Sequence, residues 1–109
     1  DVDVVEAEAK RAKELAGKAI KQLKCELQVL HGDNEPIRKV LEGKLTFAVK
    51  ETVKSIVDGA EPTVETVKEW INMDRLAYGY PELERTTERR HQYATAVLSA
   101  CQRAVNIQQ

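Results

Sequence analysis

The side chains with which this 109-residue chain could do chemistry are few, and two cysteines come first. Cys25 lies in the stretch KQLKCELQVL, residues 21–30, whose apolar stripe runs through Ile20, Leu23, Leu27 and Leu30. At about 100° per residue a helix turns Cys25 about 200° away from Leu23, onto the face of Glu14, Lys18 and Gln22. Cys101 sits among Ala94, Val97, Leu98 and Val105 in the apolar stripe of the last helical pattern. If the last helix crosses the secondary face of the first, the two thiols meet. Closing so long a loop would stabilise the fold by roughly 4 kcal/mol on a chain-entropy account. A Cys25–Cys101 disulfide is therefore expected. The alternative is a small core residue at 101 and a free exposed thiol at 25. A bridge would make the first helix the centre of the domain and place the chain outside a reducing cytosol.

Glu88 and His91 have the Glu-x-x-His spacing found in di-iron bundles. Such a site needs a second pair, and His31 is preceded by Gln28 in place of a glutamate, so no metal site is expected. A Cys-His-carboxylate set can be written from Cys101 and His91, but no glycine-rich oxyanion loop or phosphate cradle accompanies it. The expectation is a chain that is not an enzyme and holds no cofactor.

Recognition is the remaining chemistry. The stretch WINMDRLAYGYP, residues 70–81, gathers Trp70, Met73, Arg75, Tyr78 and Tyr80. These residue types are enriched in the cores of protein interfaces. Trp70 and Met73 also fall on a different side of their helix from Val64, Val67 and Ile71, although a lone Trp at a helix junction is often a core plug. The adjoining run ERTTERRHQ, residues 84–92, adds Arg85, Arg89 and Arg90, whose guanidinium forks suit carboxylates. A solvated helix face laced with intrahelical pairs is the plainer reading of that run. The aromatic loop and the arginines together are the expected protein-binding surface.

These residues must be held by helices. Gly32, Gly59 and Gly79 each precede a proline, Pro36, Pro62 or Pro81, in the order that ends one helix and begins the next. The three junctions predict helices over 2–31, 36–58, 62–78 and 81–107. The first carries an apolar stripe of Val5, Ala9, Ala12, Ala16, Ala19, Leu23 and Leu30. Its first half is small enough for a neighbour to approach closely. Gly43 interrupts the second pattern, where a kink or a close contact is plausible. No segment alternates with the period of a strand. The expected fold is all-α, one domain over 1–109, a four-helix antiparallel bundle with a long first helix.

Charged residues make up 32% of the chain, yet the net charge is -1. No basic excess is present to neutralise nucleic-acid phosphates or to hold an anionic membrane, so neither is an expected partner. The first residue is Asp, consistent with a chain processed or excised from a longer one.

The opening DVDVVEAEAKRAKELAGKAIKQLKCEL, a long helix ending near a cysteine, resembles the small secreted salivary proteins of anopheline mosquitoes that inhibit the alternative complement pathway. The resemblance implies a secreted, helical, disulfide-bearing monomer that holds a host plasma complement complex inactive without degrading it. No functional residue carries over from it. A small carrier of lipid or another hydrophobic ligand, with a cavity along the alanine-rich half of the first helix, is a second reading. Tightly packed alanines would argue against such a cavity. A helical adaptor or dimerisation module inside the cell, suggested by the heptad-like spacing of Ala9, Ala16, Leu23 and Leu30, is a third.

Overall fold

A computed structural model gives the fold and describes residues 2–73 and 87–108. Those residues are all-α: helix α1 spans Val2–His31, α2 Glu35–Val57, α3 Val64–Met73 and α4 Thr87–Gln108. Their boundaries follow from local chemistry. Gly32 takes φ +58° and Gly59 φ +92°, the left-handed conformation that ends a helix without steric cost. Asn34 caps α2, its side chain accepting from the Ile37 N–H, and Pro36 occupies the first turn, where no donor is missed. At the next junction the helix starts later than predicted. Thr63, not Pro62, is the cap: its Oγ1 accepts from the Thr66 N–H at 3.3 Å. The third junction, Gly79 to Pro81, lies outside the described residues.

One apolar core joins the four helices. Leu15, Ala16, Ala19, Leu23 and Leu27 enter it from α1, and Leu41, Leu45, Ala48, Val49 and Val53 from α2. Val67 and Ile71 enter from α3, and Tyr93, Ala94, Ala96, Val97, Ala100, Cys101 and Ala104 from α4. The only buried polar side chain among the described residues, Thr52, satisfies its hydroxyl by donating to the Ala48 carbonyl one turn back at 2.7 Å. Gly43 neither kinks α2 nor meets a close neighbour, and the space around its Cα is open.

Helix α1 packs mainly on α4 and α2, whereas α4, like α2, touches each of the other three helices. The small residues of α4 make this possible. Ala96 and Ala100 are buried as fully as the Val97 and Cys101 stripe, so a wide arc of α4 is covered.

The expected disulfide does not form: Cys25 is exposed and Cys101 is buried, and both thiols are free. The reason is the direction from which α4 approaches α1. Leu15 is 1% exposed, and Glu26 reaches across to Arg103 of α4 at 2.7 Å. Both lie about 60–80° from Leu23 on the flank that leads round to Cys25, but the thiol lies about 80° farther round, beyond the covered arc. Cys101 points the other way, its Sγ donating to the Val49 carbonyl of α2 at 3.7 Å.

Candidate functional site

The first turns of α1 stand clear of the core. Every residue from Asp3 to Arg11 is exposed, including Val4 at 54% and Val5 at 63%. Core packing begins only at Ala12 and Leu15. The turn at Gly32–Asn34 folds α2 back along α1, so residues equally far from it stand level with one another. Val57 is thereby level with Ala9, Lys54 with Ala12 and Lys50 with Ala16. Helix α1 thus runs past the end of α2 by more than a turn.

Where the two helices lie side by side, alanines and a glycine leave the space between them unfilled. The result is an apolar groove of about 630 Å³. Its floor is Val5, Ala9, Ala12, Ala16, Gly17 and Ile20 of α1 with Val57 of α2. Lys13, Lys50 and Lys54 rim it, with Glu8 and Asp58 at the end where α2 stops. The alanine stripe was expected to pack tightly and exclude a cavity. Instead it lines one, with Lys50, Lys54 and Val57 the α2 side chains along it. The sequence signal was present in the spacing of those alanines, but that they border a groove follows only from where α2 ends.

The sequence-predicted surface is divided. Trp70 is half-buried and packs against the core, which fits the plug reading. Arg89 is half-buried and donates from Nη1 to Gln92 Oε1 at 2.9 Å, and Arg90 is also half-buried and partnered. Met73 closes α3. The side chain of Met73, and Arg75, Tyr78, Tyr80 and Arg85 entirely, lie outside the described residues. Trp70 thus packs against the core, while most of the expected surface lies outside the described residues.

The histidines are also apart. Glu88 and His91 are both exposed. His31 Nε2 is 3.0 Å from the Tyr93 hydroxyl. Burial at the helix end, and then the Arg89 guanidinium, lower the His31 pKa from its usual 6.5. Among the described residues no three His, Cys, Asp or Glu side chains could hold a metal ion, and no helix is long and apolar enough to cross a membrane. Burial pushes the Cys101 thiol up to about 12, so it is held as a neutral packing group.

Comparison with known proteins finds no matching family model, no similar curated protein and no similar solved structure.

Proposed function

We propose that this chain is a non-enzymatic binding protein, an antiparallel helical bundle that engages a protein partner by receiving a helix in the α1/α2 groove. The observation that carries this reading is the groove itself: an apolar floor of small residues, partly open to solvent and edged by lysines. Helix-in-groove recognition needs a floor that lets a second backbone come close and a charged rim that fixes its direction. Nucleophilic chemistry has no comparable support, since burial holds the Cys101 thiol protonated.

A complement-inhibiting protein secreted in saliva is one specialised form of this reading. It rests on the resemblance of the opening helix, and its disulfide premise is gone. Residual alternative-pathway activity in serum, measured with and without the protein, tests that form; undiminished activity removes it. The general reading is tested by retention of plasma proteins on the immobilised wild-type chain and on an Ala12→Trp variant that fills the groove. A protein retained by the first and lost from the second supports the proposal, and equal retention by both overturns it.

The groove volume also lies within the range of small-ligand sites, which favours carriage of a hydrophobic ligand as a second reading. Displacement of a fluorescent fatty-acid probe from the wild type but not from Ala12→Trp would favour it over a helix.

A further inference from the structure

We propose that the helix received by the groove is the exposed first third of α1 from a second copy of this chain, laid antiparallel, so that each copy fills the other's groove. The proposal rests on the groove as a helix-binding site and deepens it by naming the occupant.

Four features point to self-pairing. First, the occupant is at hand: Asp3 to Arg11 form helix with every residue exposed, and Val4 and Val5 lack apolar cover. A helical arm this short draws little stability from propensity alone and is expected to find a packing partner. Second, the stripe is self-complementary. With two α1 helices antiparallel and Ala9 opposite Ala12 of the second copy, Val5 falls opposite Ala16. Each layer then sets a larger residue against a smaller one, or alanine against alanine, at the close spacing that such residues allow.

Third, the same register matches charge to charge. Before Lys10 the chain carries Asp3, Glu6 and Glu8 and no base. Lys54, level with Ala12, comes beside Glu6 of the second copy. Lys50, level with Ala16, comes beside its Asp3 and Glu6. Asp58, level with Glu8 at the end of the groove, meets its Lys13. Lys13, Lys50, Lys54 and Asp58 at the groove thus find the opposite sign, which fixes the register more than it adds affinity.

Fourth, the register fits sterically. A twofold axis between Lys10 and Arg11 puts the two α2 helices on the same side of the α1 pair. Because α2 stops level with Ala9, they meet nearly end to end instead of colliding. The contact is isologous and closes at two copies.

The test uses two full-length variants, Lys50→Glu/Lys54→Glu and Glu6→Lys/Glu8→Lys. All four residues are exposed, so the fold should be kept, as far-ultraviolet circular dichroism will show. Sedimentation equilibrium up to about 200 µM reads the assembly, well above the micromolar range of specific interfaces. The wild type should be a dimer that salt weakens. Each variant alone should dimerise at least about tenfold more weakly, because like charges face each other. An equimolar mixture of the two should recover the wild-type affinity, since acidic rim then meets basic arm and basic rim meets acidic arm. A monomeric wild type, or a dimer indifferent to both variants, overturns the proposal. A monomer that still retains a plasma protein lost from Ala12→Trp would sink self-pairing alone and leave the groove reading intact.

Discussion

His31 Nε2 stands 3.0 Å from the Tyr93 hydroxyl, so the last residue of α1 is tied to the first fully buried side chain of α4. Burial, and then the charge of Arg89, lower the imidazole pKa in this setting. The unfolded chain therefore binds a proton at a pH where the folded chain does not. Stability should be full above the ordinary pKa of 6.5 and decline as pH falls below it, until the lowered folded-state pKa is reached. Urea midpoints at about pH 7.5 and about pH 5 should differ less in His31→Gln than in the wild type. Loss of the hydrogen bond in Tyr93→Phe should cost about 0.5–1.5 kcal/mol at neutral pH.

The two thiols should react unequally. Cys25 is exposed, whereas Cys101 is wholly buried with its pKa near 12. Alkylation of the folded chain without reductant should add one label, mapped to Cys25 by peptide mass, and a second only after denaturation. Two labels at equal rates on the folded chain would contradict the packing of α4. Cys25→Ser should change stability by no more than about 0.5 kcal/mol.

Gly43 lies inside α2, exposed, with open space where a methyl group would go. Gly43→Ala should raise stability by about 1 kcal/mol, through helix propensity and a less entropic unfolded chain. A shift of the urea midpoint to higher concentration, at unchanged slope, is the check.

The Glu26–Arg103 pair at 2.7 Å joins α1 to α4 with Glu26 partly covered and Arg103 more than half exposed. A double-mutant cycle with Glu26→Gln and Arg103→Gln should give a coupling of about 0.5–1 kcal/mol that shrinks in high salt. No coupling would mean that this contact does not orient the two helices.

Much of the fold was legible because local chemistry and helical period agree. Gly32 and Gly59 end their helices, Pro36 opens α2, and the period of Leu23, Leu41 and Leu45 marks buried faces. What could not be read was which flank each helix turns to which neighbour. Cys25 seemed to ask for cover, but the approach of α4 was decided by Leu15, Ala96 and Ala100, residues whose own pattern names no partner. The candidate site was half legible for the same reason. The alanine stripe is plain in the sequence, whereas the groove that it lines depends on where α2 stops. The arginines and Trp70, chosen by residue type, are drawn partly into packing instead.

The dependence of three helices on α4 has a consequence for synthesis. During synthesis α1 and α2 can pack on each other, but the faces that they and α3 turn to α4 stay bare until Tyr93 to Ala104 have been made. Contacts between the first helix and the last also impose a long loop closure on the folding transition state. Until the turns of α4 emerge, those bare faces are the ones a chaperone would hold.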